Sequence, residues 1–142
     1  MITADKCVKE ICEYLKLSLM AEDLHMMVNV YEYEDKPKTY KGVYIAVNSL
    51  PFVFGYALND KCILNVNLHI PSMSDGSYYR KNGDLWTEWL LSRLPVSTGT
   101  ENEKVLQLKN ASYIVTDISQ PQKDIDNTHY INFHLKVLFP NI

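Results

Sequence analysis

The sequence predicts an α+β fold, a two-layer domain in which two helices cover a mostly antiparallel sheet. Three observations predict it. Residues 4–20 place Val8, Ile11, Cys12, Leu15 and Leu19 in a single stripe at helical spacing. Residues 62–70 and 129–139 instead alternate apolar and polar with a period of two. Turn-forming residues separate the strand-like segments, and strands joined by short turns pair antiparallel. Helices with one apolar stripe must cover the apolar face of such a sheet.

Each element follows in order. In the first helix, Thr3 is placed to cap and Asp5 sits in the first turn, where the helix dipole favours an anion. Lys6, Lys9, Glu10, Glu13 and Lys16 cover its polar side. A strand near 26–33 ends at the breaker run 34–39, which contains Pro37. A second strand over 41–47 carries β-branched Val43, Ile45 and Val47 on one face. An apolar stretch, 52–58, and a turn at Asn59-Asp60 lead to the third strand, 62–70. There Cys62, Leu64, Val66, Leu68 and Ile70 form the buried face, while Ile63, Asn65, Asn67 and His69 form the wet one. Asn is a poor strand former, so two on one face suggest an exposed or ligand-facing surface.

The loop 71–83 is long for a compact domain. The second helix is expected from Asp84, its cap, to Leu94, with a start as early as Ser77 open. Trp86, Trp89, Leu90 and Arg93 lie at helical spacing, and Pro95 ends it. After a polar loop, 96–103, come a short strand at 105–108, a strand at 111–119, a hairpin connection at 120–128 and a long last strand, 129–139. The predicted order is α-β-β-β-α-β-β, in one domain over 1–142.

Composition narrows the function classes. The 142 residues are 46% hydrophobic and 22% charged, which places the chain among globular domains and away from disordered ones. Net charge is -3 and no basic block occurs, so the footprint of a nucleic-acid binder is missing. Three cysteines, an odd number, argue against a disulfide framework. Cys7, Cys12 and Cys62 read as small buried hydrophobes in a reducing compartment. Residues 1–20 hold no apolar signal-peptide core, and no run has the roughly 18 apolar residues of a membrane span. The expected location is therefore inside a cell, or in a particle assembled there.

The residues that carry common chemistries do not assemble into a motif. No G-x-S-x-G elbow and no clustered phosphate-binding glycines occur. The four histidines lack helical ligand spacing, and His129 and His134, five apart on one strand, face opposite sides. His69 and His134 share the polar sides of their strands, so neighbouring strands would make a two-histidine site conceivable. Glu88 reads as a solvent-facing helix residue, and Trp86 and Trp89 as core packing. The expectation is a protein that is not an enzyme, with no catalytic, metal or cofactor-binding residues and no cofactor.

Certain segments carry a resemblance. VYIAVNSLP (43–51), ILNVNLHIPSMSDG (63–76), a helix ending LSRLP (91–95) and a long final strand resemble the tail-completion, tail-terminator and head–tail connector proteins of long-tailed bacteriophages. The likeness follows the element order over nearly the whole chain. The apolar stretch Phe52-Val53-Phe54-Gly55-Tyr56 departs from the family pattern and leaves its register open. The resemblance implies a structural protein of the neck or tail, forming a ring, often hexameric, that joins head to tail or caps the tail tube. Implied partners are copies of itself and other phage neck or tail proteins, with no specific nucleic acid and no membrane. The implied location is the host cytoplasm and then the virion; a part in a related contractile injection machine shares the same physics. Contact surfaces are expected at Tyr78, Tyr79 and Arg80 of the long loop and at Asp124 and Asp126 of the hairpin, since Tyr and Arg favour contact cores. The competing expectation is a small-ligand-binding protein or enzyme on a generic α+β scaffold, with a concave pocket at Trp86, Trp89 or His69.

Overall fold

A computed structural model describes residues 3–49 and 62–138. It has the predicted α+β architecture and element order, with the short strand expected at 105–108 reduced to two residues and one further two-residue strand in the connection 120–128. Helix α1 spans Ala4–Ala21, β1 Val28–Glu32, β2 Val43–Ser49, β3 Ile63–Pro71 and α2 Arg80–Arg93. The chain continues through β4 (Leu106–Gln107), β5 (Ser112–Ile118), β6 (Gln122–Lys123) and β7 (Thr128–Leu138). The apolar stretch 52–58 and the turn at Asn59-Asp60 lie outside the described residues.

The strands form one sheet in the order β1-β2-β3-β7-β5-β4, with β6 paired to β7 beyond the end of β5. The helices share one face of it. Val8, Ile11, Leu15 and Leu19 from α1 and Trp86 and Leu90 from α2 meet Ile45, Val47, Leu64, Val66, Leu68, Phe133 and Leu135 in one buried core. Thr3 caps α1 as expected, its Oγ1 accepting the Lys6 N–H at 3.2 Å. Cys7, Cys12 and Cys62 are free and buried, and burial pushes each thiol above its ordinary range.

Three local expectations are corrected. The consecutive strands β1 and β2 pair parallel, Val28 opposite Val43 through Glu32 opposite Val47. The connection from Tyr33 to Gly42 is long enough to carry the chain back to its starting end before β2 begins. Tyr33 turns it with φ 51°, and Lys36 Nζ holds it, donating to the carbonyls of Pro37 and Tyr40. The second correction concerns the cap of α2: the helix starts at Arg80, within the range left open from Ser77, and Asp84 lies inside it and does not cap it. The N-cap is Tyr79, with no side-chain capping bond. Gly83, buried within the helix, leaves the space occupied by the Tyr78 ring, so packing sets this end in place of a cap. The third is His69, which is only 7% exposed although it belongs to the face expected to be wet.

Candidate functional site

The face of the sheet opposite the helices holds the polar residues of the alternating strands. Register brings them into rows: Asn48 opposite Asn65, Asn67 opposite Asn132, and Asn65 opposite His134. The amides form a relay. Asn132 Nδ2 donates to Asn65 Oδ1 at 3.1 Å and to Asn67 Oδ1 at 2.6 Å, and Asn65 Nδ2 donates to Asn48 Oδ1 at 3.0 Å. Cross-strand neighbours on one face are close enough for such contacts.

A hollow of about 470 Å³ opens over this amide floor. Asp117 and Ser119 wall it from the end of β5, and Gln122 and Asp124 from the hairpin beside β7. Asp117 is there because of a register shift. Val115 pairs with Leu135 on the core face, yet Asp117, two residues on, pairs with His134 on the open face. An extra residue in a bulge reverses which face the following side chain takes.

At one end of the hollow His69 is enclosed by aromatic rings. Tyr44 stacks on it with centroids 4.2 Å apart and planes 7° apart, and Tyr130 lies on it at 5.5 Å. Its Nδ1 is 3.0 Å from Thr128 Oγ1 and 3.7 Å from Asp124 Oδ2. Burial lowers its pKa and prevails over the opposing pull of Asp126 and Asp124, so the imidazole is neutral at pH 7. Asp126 accepts from Tyr44 Oη at 2.5 Å and from the Thr128 hydroxyl and N–H. Burial pushes its carboxyl up, but these hydrogen bonds, from Thr128 and then Tyr44, outweigh burial and hold it below its ordinary value. Tyr44 itself is raised, by burial first and then by Asp126.

His69, Asp124 and Asp126 offer ligand atoms within 4.8 Å of one another. These are the residues that could hold a cation. However, His69 Nδ1 is engaged with Thr128, and both Asp126 oxygens accept protein hydrogen bonds. The arrangement serves as a polar staple, fastening the hairpin to β2 and β3.

The predicted site residues divide. Tyr78 is half-buried, 5.5 Å from the His129 ring, with the Arg80 guanidinium 5.9 Å over its own. Tyr79 and Arg80 are exposed. Asp124 and Asp126 are half-buried and turned toward His69. The two predicted segments are neighbours: Ser72 N–H donates to the Asn127 carbonyl at 3.0 Å, and Gly76 lies beside the Lys123 ammonium. His69 and His134 do share the open face of adjacent strands, but His69 pairs with Tyr130 and His134 with Asn65, four positions along. Both line the hollow, but at this separation they cannot hold one ion between them. Trp86 is buried in the core, Trp89 packs on its edge and donates to Glu22, and Glu88 is exposed. Sequence reasoning marked Asn65, Asn67 and His69 as a surface but missed Asn132 as the centre of the relay and Asp117 as a wall. The alternating pattern of β7 could have revealed the first; the bulge left no signal in the pattern.

No protein-family model matches the chain, and no curated protein matches it. Among solved structures, a chain designated by a sequence number alone is 23% identical, with TM-score 0.54, over 96% of this chain and 98% of that one. That similarity extends to the fold.

Proposed function

We propose that the chain is a structural subunit of a bacteriophage neck or tail that assembles into a ring, with no enzymatic role. The observation that carries this reading is the pair of open sheet edges. Strand β1 lies at one end of the strand order and β4 at the other, and neither has an outer partner among the described residues. Unpaired edges are a liability in a monomer and a means of association in an assembly. Because the two edges differ, their union is head-to-tail, a geometry that closes into a ring where the rotation between subunits returns to its start and otherwise runs on as a filament.

The β1 edge also has an apolar surround. A groove of about 250 Å³ lined in part by Leu19, Met20, Val28 and Val30 runs beside it; Met20 is exposed there, and Met26 and Met27 are exposed just before the strand begins. Flexible methionines suit an adaptable contact. A second exposed apolar group, Met73, Tyr79 and Ile125, belongs to the loop and hairpin named above as contact segments. The sequence resemblance supplies the phage setting.

The test is molar mass by light scattering across a wide concentration range, with the peak imaged by negative-stain electron microscopy. A discrete oligomer with a central hole is expected. A strict monomer at every concentration would sink the self-assembling reading.

A further inference from the structure

We propose that the hollow on the helix-free face is a binding site for a small uncharged polyhydroxylated ligand, a mono- or disaccharide. The inference stands apart from ring formation and rests on which polar groups the fold leaves unspent. The relay consumes both N–H bonds of Asn132 and the oxygens of Asn65 and Asn67. It thereby fixes how each amide is turned. What remains is an acceptor, Asn132 Oδ1, and a donor, Asn67 Nδ2, neither with a partner among the described residues. On the walls, Asp117 Oδ1 accepts from the Ile118 N–H and Asp124 Oδ1 from the Ile125 N–H. Asp117 Oδ2 is left without a donor among the described residues, and Asp124 Oδ2 is 3.7 Å from His69 Nδ1, beyond hydrogen-bond reach.

These leftovers select a ligand class. All the lining residues are polar, and none is Lys or Arg. With carboxylates on two walls, a phosphate or a carboxylate ligand meets repulsion and finds no counter-charge. An apolar ligand would leave every group unmatched, at a cost for each. An ammonium can donate to the carboxylates but cannot accept from Asn67 Nδ2. A hydroxyl does both, and a sugar offers several in a fixed ring. Carboxylates are the strongest acceptors for such hydroxyls. The Tyr130 ring adds an aromatic surface to the lining, and about 470 Å³ falls in the range of small-ligand pockets.

The experiment follows the side-chain amide signals of Asn65, Asn67 and Asn132 in ¹⁵N-labelled protein by NMR. Glucose, galactose, mannose and N-acetylglucosamine are titrated in turn, with methylammonium and inorganic phosphate as the competing chemistries. At least one sugar is expected to shift these amides saturably, while phosphate does not. Asp117→Asn and Asn67→Ala, each checked for an unchanged backbone spectrum, should weaken that sugar about tenfold, as the loss of one hydrogen bond to a charged or aligned group predicts. The proposal is overturned if no sugar shifts the three amides, if methylammonium shifts them as strongly, or if both variants bind the sugar like the parent.

Discussion

Glu10 lies on the side of α1 that the sequence assigns to solvent, yet both its oxygens are engaged. Oε1 accepts from the Tyr113 hydroxyl at 2.7 Å, and Oε2 from the Asn110 N–H at 2.9 Å. Tyr113 is fully buried, so its hydroxyl has no water to turn to. Glu10→Ala should therefore cost about 1–3 kcal/mol, the penalty for an orphaned buried donor, as read by urea denaturation. Glu10→Gln keeps an acceptor and should cost less. His69 gives a pH signature. Unfolded, it takes up a proton as pH falls through about 6.5; folded, burial delays that uptake, against Asp126 and Asp124 and with the help of Lys36. The unfolded state thus binds more protons over this interval, so stability falls as pH drops below about 6.5 and levels off past the folded value. In His69→Gln that part of the slope should vanish, seen by comparing unfolding midpoints at several pH values with the parent. Gly83 makes a third case. Ala at a helix interior normally gains about 1 kcal/mol over Gly, but here its Cβ would collide with the Tyr78 ring. Gly83→Ala alone should destabilise by about 1–2 kcal/mol through overpacking. In a Tyr78→Ala background the same change should stabilise, and thermal melts of the four proteins decide it.

At the scale of elements, the legible features were those set by local period. The α1 stripe and the β3 and β7 alternation each specify a face, and the residues on those faces are the buried core. What the sequence left open depends on contacts between distant segments. Parallel pairing of β1 with β2 is decided by where Tyr33–Gly42 leads the chain, not by the pattern within either strand. The start of α2 is decided by Tyr78 against Gly83, and the wall position of Asp117 by a bulge. His69 looked wet because alternation reports the face and not what stacks there, here Tyr44 and Tyr130. The sheet order also ranks the strands. β3 and β7 are central and long; β1 and β4 are edges, and β4 has two residues. Opening free energies follow such placement, so amide exchange should be slowest at Val66, Leu68, Phe133 and Leu135 and fastest in β1 and β4. Equal protection across the sheet would contradict this ladder.

For the whole molecule, the division of surfaces decides how it can associate. One sheet face is spent on the helices, and the other is polar and carries the hollow. The open edges and the exposed apolar groups beside them remain. Surface substitutions away from packed features usually change stability by about 0.5 kcal/mol or less. Met20 and Met27 are 58% and 56% exposed, so replacing both with Lys should leave the melting temperature of the folded chain nearly unchanged. Association should respond differently. If the β1 edge joins one subunit to the next, two ammonium groups at that corner must be desolvated or brought against the neighbour. Burial of an unpaired charge is costly, and like charges blunt a sheet edge. Met20→Lys/Met27→Lys is therefore expected to shift the light-scattering mass toward monomer at concentrations where the parent associates, while Glu88→Lys, on exposed α2 away from that corner, should not. Loss of assembly in both variants would point to net charge, and persistence in both would move the contact to the Met73, Tyr79 and Ile125 end, where the loop and hairpin expose a second apolar group.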